Sequence, residues 1–173
     1  PPEVASVLLY AAQASGNCYK VRLRRAQLGI PTDRHEVDVV HRRGRAELLG
    51  GLNPGLRVPT LVLDDGRPLA ESNAILWYFA EGTPFLPDDR FDRAKVLQWM
   101  CFEQYSHEPN IAVVRFWVCF APKPPSPSEL DPRRAGGSVA FEARACRLAP
   151  SESPVGTRYT TAPPPLHTPP PTP

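Results

Sequence analysis

Val58-Pro59-Thr60-Leu61-Val62-Leu63, Asp64-Asp65-Gly66-Arg67, Pro68-Leu69-Ala70 and Glu71-Ser72-Asn73-Ala74-Ile75-Leu76-Trp77-Tyr78 follow one another without a gap, and this stretch decides the fold. The first segment is apolar and β-branched, the composition of a buried strand. The Asp-Asp-Gly-Arg segment is a turn, which returns the chain into a short partner strand at Pro68-Leu69-Ala70. Ser72 is a helix cap for residues 73–80, because its hydroxyl can accept from the first backbone N–H groups, which have no partner inside the helix.

Upstream, residues 4–10 form an apolar run of strand length, and residues 11–15 read as a loop. Residues 17–28 carry Cys18, Val21 and Leu28 at helical spacing, with Gly29 and Pro31 as the stop. The alternation Glu36-Val37-Asp38-Val39 predicts a second strand, and residues 45–52 a weak helix interrupted by Gly50-Gly51. The order is β-α-β-α-β-β-α, which calls for a small sheet with helices on both faces. Downstream, residues 82–87 are a linker. Phe91, Ala94, Leu97, Trp99, Cys101, Phe102 and Tyr105 recur at helical spacing, Pro109 should restart the chain, and residues 111–120 predict a further apolar helix.

After Ala121 the composition changes: 14 of the 23 prolines lie in residues 121–173. Pro122, Pro124, Pro125 and Pro127 oppose regular helix, residues 129–148 have room for one weak helix, and the Pro163 and Pro169 triplets predict an extended or disordered tail. Across all 173 residues, 42% are hydrophobic and 22% charged, with a net charge of +2. That balance is globular, and it offers neither a nucleic-acid face nor an apolar stretch of membrane-spanning length. Cys18, Cys101, Cys119 and Cys146 lie too far apart for metal-ligand spacing and read as reduced thiols in a cytoplasmic protein.

Several blocks in order carry a family resemblance: Ser15-Gly16-Asn17-Cys18-Tyr19-Lys20-Val21-Arg22-Leu23, Leu28-Gly29-Ile30-Pro31, Leu52-Asn53-Pro54-Gly55, Val58-Pro59-Thr60-Leu61 and residues 69–78. The first 120 residues resemble the cytosolic, bacterial theta- and zeta-like glutathione S-transferases. The resemblance implies a thioredoxin-like glutathione-binding domain over residues 5–82. It further implies the start of an all-α C-terminal domain over residues 88–120, followed by a Pro-rich degenerate tail over residues 121–173. Its expected chemistry is activation of the glutathione thiol for attack on a small electrophile. Glutathione is then a cosubstrate, with no bound cofactor or metal, and the protein is a homodimer engaged in detoxification.

The resemblance also assigns roles. Glu71 would take the γ-glutamyl ammonium of glutathione and Ser72 its carboxylate. Ser72 stands where a helix N-terminus favours an anion, although an ordinary cap reads the same way. Val58 would pair with the cysteinyl backbone ahead of a cis Pro59. Arg57 and His41 are the candidates for the glycyl carboxylate. Ser15 would donate to the glutathione sulfur and favour the thiolate, with Asn17 as a second donor. Tyr105, His107 and Arg115 are candidates for the electrophile pocket, while Trp99 and Trp117 read as core.

Two alternatives stay open. Cys18 lies where related redox proteins carry a second cysteine, so a glutaredoxin-like thiol–disulfide enzyme is one. A glutathione-binding but catalytically impaired protein is the other, because the family's later helices survive only as echoes. Val155-Gly156-Thr157-Arg158-Tyr159-Thr160 is such an echo; Pro163 follows where an acidic capping partner would stand.

Overall fold

The computed structural model describes residues 6–148 together with Val155, Thr160 and Thr161. The chain divides into two units, one ending at Phe79 and one beginning at Ala80.

In the first unit, β1 (Val7–Ala11), α1 (Gly16–Gln27), β2 (Thr32–Glu36), α2 (Arg45–Leu49), β3 (Thr60–Val62), β4 (Pro68–Ala70) and α3 (Ser72–Ala80) follow in the expected order. The sheet runs β2-β1-β3-β4, with β1 parallel to β2 and antiparallel to β3. Val7, Leu9 and Ala11 of β1 are buried in alternation, and with Leu61, Val21, Cys18, Ile75 and Leu76 they make the core. Gly29, at φ +66°, closes α1: the N–H of Ile30 donates to the carbonyl of Arg25 and that of Gly29 to Ala26. A left-handed residue at this position is what glycine tolerates without steric cost.

β2 lies earlier than the alternation at residues 36–39 predicts. Its four residues after Thr32 are exposed, so this edge strand has no apolar pattern to display. It is held by parallel pairing with β1, Val7 opposite Thr32 and Ala11 opposite Glu36. Val37 follows the strand, is buried, and donates its N–H to the carbonyl of Ala11 at 2.8 Å.

The register collects four chain segments at one end of the sheet. Ala11 pairs with Glu36, Tyr10 with Thr60 and Thr60 with Ala70. The loop after β1, the loop after β2, the approach to β3 and the exit from β4 therefore all lie at that end.

In the second unit, α4 (Arg90–Phe102) starts on Asp89, whose carboxylate accepts the N–H of Asp92 at 2.9 Å. Pro109 does not restart the chain. Residues Glu103–Ala112 form a π-helical stretch that leads directly into α5 (Val113–Phe120). The wider turn accommodates a residue that lacks an N–H donor and crowds an α-helical carbonyl.

Among the described residues after α5, the break expected from the prolines covers residues 121–126, and the room left for one helix over residues 129–148 is filled. α6 (Pro127–Leu148) is a helix of 22 residues, with Pro127 at its first position, where a missing N–H costs nothing. Its Gly137 lies on Ile111, and Phe141 meets the His107 ring at 5.8 Å. The family echo is partly packed as well. Val155, Thr160 and Thr161 are buried, and Thr161 donates its N–H and its hydroxyl to the carbonyl of Phe85 at 2.8 and 2.9 Å. The Pro163 and Pro169 triplets lie outside the described residues. None of the described helices is long and apolar enough to cross a membrane.

Candidate functional site

Ser15 is the N-cap of α1: it is extended, and its hydroxyl oxygen accepts the N–H of Cys18 at 3.3 Å. A hydroxyl has two lone pairs and one proton, so capping leaves its O–H available to a ligand. Asn17, in the first turn, accepts a hydrogen bond from the Ser72 hydroxyl at 3.3 Å, joining the start of α1 to the start of α3. Three residues on, Lys20 is 2% exposed and donates to the side-chain carbonyl of Asn73 at 2.9 Å. Asn17 and Lys20 thus share one face of α1 and meet neighbouring residues of α3. Lys20 is not among the site candidates read from the sequence. The spacing of three from Asn17 was the signal that Lys20 belongs to the site.

Glu71 is exposed and stands at φ +67°, in the left-handed region, immediately before the buried Ser72. A non-glycine residue there is strained, and such strain concentrates at ligand sites. The Val58–Pro59 bond is cis, with Val58 half-buried and Pro59 buried. Asn53 fixes the approach to it by donating to the carbonyl of Arg57 and to the Thr60 hydroxyl, both at 3.0 Å. Thr60 donates to the same Arg57 carbonyl at 2.8 Å.

Cys18 is fully buried and accepts the N–H of Ala12 at 3.4 Å. Burial raises its thiol pKa, against the smaller opposing effects of Ser15, Ala12 and Arg22. A protonated, inaccessible thiol is a poor nucleophile.

His41 is exposed and is not among the residues lining the cavity beside Arg57; Arg42 and Arg45 are. In the second unit the three electrophile candidates diverge. Tyr105 is 86% exposed, His107 is 2% exposed and faces Phe141, and Arg115 lies 5.3 Å from the centroid of Phe120. Trp99 and Trp117 are half-buried rather than central, Trp99 edge-on to Phe102 and Trp117 beneath Arg133. Ala80, Leu86, Val96, Met100, Ala140 and Val155 are the buried apolar residues among those described in that unit.

A thioredoxin-like sheet whose loops gather at one end, followed by a helical unit, defines the class. Residues 14–81 match the family model of the glutathione S-transferase N-terminal domain. A possible glutathione S-transferase from Rhodopseudomonas palustris is 40% identical, with a TM-score of 0.86 over 90% of this chain and 78% of that one. The protein URE2 of Candida glabrata is 31% identical over an alignment of 112 residues that covers 60% of this chain. The chain spans about 32% of the length of that curated relative. Ure2p in complex with glutathione shares the fold at 21% identity, with a TM-score of 0.81 over 94% of this chain and 81% of that one. The chain belongs to the glutathione S-transferase family.

Proposed function

We propose that the protein binds glutathione across the gathered end of its sheet and activates the thiol for transfer to a small electrophile. The observation that carries this reading is the register that gathers Ser15, Val58–Pro59 and Glu71–Ser72 at that end. Glu71 takes the γ-glutamyl ammonium. The free N–H groups at the start of α3 take the neighbouring carboxylate, where the helix dipole favours it. The Ser72 hydroxyl exchanges Asn17 for that carboxylate. Val58 pairs with the cysteinyl backbone, and Arg57 draws the glycyl end.

The thiol proton leaves to solvent, and Ser15 donates its O–H to the glutathione sulfur, which stabilises the thiolate over the thiol. The thiolate attacks the electrophile, a carbon–sulfur bond forms, and the leaving group departs with its electron pair. Asn17 supports the thiolate as a second donor. Cys18 takes no part.

The test has two readouts. Glutathione at 100 times its Kd should stabilise the full chain by about 2.7 kcal/mol. Turnover with 1-chloro-2,4-dinitrobenzene should fall about 100-fold in Ser15→Ala, the cost of losing one preorganised donor, while glutathione binding persists. Turnover that survives Ser15→Ala and disappears in Cys18→Ser would replace this mechanism with a redox one.

The likeness to the URE2 proteins favours a second reading, a glutathione binder without turnover. It predicts the same stabilisation with no conjugate formed from any electrophile. We also propose a cytoplasmic homodimer. Phe91, Leu97, Tyr105, Val118, Val139 and Phe141 of the second unit are exposed, and sedimentation at micromolar concentration would detect the pairing.

A further inference from the structure

Between the loop after β2 and the approach to β3 lies a cavity of about 360 Å³, lined by Arg42, Arg45, Ala46, Gly55, Leu56 and Arg57. Its charged lining is three guanidinium groups, and no carboxylate contributes. Among the described residues, none of the three arginines pairs with an acidic side chain within 4.0 Å. Asp38 is the nearby acid that offsets part of the charge, and its carboxylate accepts the N–H groups of Val40 and His41 at 3.0 and 2.8 Å.

Arg42 and Arg57 both act on Arg45. Partial burial, and then Arg42 and Arg57, disfavour the charged form of Arg45. The Arg45 Nε is also buried without a hydrogen-bond partner. Both edges of the cavity hold non-glycine residues in the left-handed region, Arg42 at φ +60° and Leu56 at φ +49°. Asn53 accepts the N–H of Gly55 at 3.0 Å and donates to the Arg57 carbonyl, so the Arg57 edge is fixed by hydrogen bonds.

One glycyl carboxylate does not match this arrangement. It carries a single negative charge, and one guanidinium fork satisfies both of its oxygens. The cavity is also large for it, since about 300 Å³ already holds a small organic ligand. We propose that the cavity takes a second negative charge on the C-terminal residue of the thiol peptide. The preferred thiol is then a γ-glutamylcysteinyl peptide ending in a dicarboxylic amino acid, ahead of glutathione. Arg57 draws the α-carboxylate, and Arg42 and Arg45 draw the side-chain carboxylate. This rests on the glutathione-site reading and extends it to substrate class.

Calorimetric titration of the full chain with three peptides tests it: γ-Glu-Cys-Glu, glutathione and glutathione amidated at glycine. The expected order of affinity is the order named. Each lost charge should weaken binding about tenfold at low salt, as charge-assisted bonds to arginine do. The steps should shrink at 0.5 M salt, because Arg42 and Arg57 are exposed and are screened. The double variant Arg42→Gln, Arg45→Gln should bind γ-Glu-Cys-Glu and glutathione alike. Glutathione binding with no advantage for γ-Glu-Cys-Glu would overturn this inference and leave the glutathione site standing. No binding of any of the three peptides would overturn both.

Discussion

At the residue scale, Cys18 sits where a redox cysteine is expected, yet it is fully buried and its pKa is raised by burial. Cys101, Cys119 and Cys146 are exposed. Iodoacetamide should therefore label those three in the native protein and spare Cys18 until the chain unfolds; mass spectrometry of the labelled peptides reads the result. The same burial sets a pH dependence. The unfolded thiol ionises above about pH 8.5, while the folded one stays protonated. Unfolding then releases a proton, and stability falls as pH rises from that value to the folded-state pKa. In Cys18→Ala this alkaline slope should disappear, although the variant begins from a lower stability because of the cavity it leaves. Urea titrations between pH 7 and pH 10 would measure both effects. Ser15 also caps α1, so that, beyond the proposed effect on turnover, Ser15→Ala should cost about 1 kcal/mol of stability.

At the element scale, α6 meets the π-helical stretch through glycine. A Cβ added at Gly136 would lie 2.8 Å from Oδ1 and 2.9 Å from Cγ of Asn110. Asn110 cannot swing away without cost, since its Nδ2 donates to the Ser106 carbonyl at 2.7 Å. Alanine is the better helix former by about 1 kcal/mol, so propensity alone predicts that Gly136→Ala stabilises. The contact predicts the reverse, and a lower urea midpoint for Gly136→Ala would show that packing governs the position. This contact bears on what the sequence could reveal. Two adjacent glycines in a proline-rich segment look like a failing helix, whereas here they let two helical segments approach. Pro109 likewise looks like a boundary because proline opposes an α-helix, and the wider π turn removes that conflict.

At the scale of the whole molecule, residues beyond α6 contribute to the second unit. Val155, Thr160 and Thr161 are buried, and Thr161 makes two hydrogen bonds to the Phe85 carbonyl. A chain ended at Leu148 should be less stable than the full chain by at least about 1 kcal/mol, the net value of one such bond. Equal urea midpoints for the two chains would mean that these contacts contribute nothing. The composition of residues 121–173 could not announce this, because Thr160 and Thr161 carry no periodic signal and their partner lies 76 positions away for Thr161.

The sequence by itself determined the order of strands and helices in the first unit, and it offered Ser15, Val58, Pro59, Glu71 and Ser72 as site candidates. Those features are local: strand composition, a turn, caps and a proline, each legible within a few residues. Only the tertiary structure decided where β2 lies, because an exposed edge strand is held by pairing rather than by an apolar pattern. It also decided that Lys20 turns inward to Asn73, and that Arg42 and Arg45, rather than His41, join Arg57 around one cavity. These residues come from segments that meet only when strand register brings their loops to the same end of the sheet, and no spacing along the chain records such a meeting.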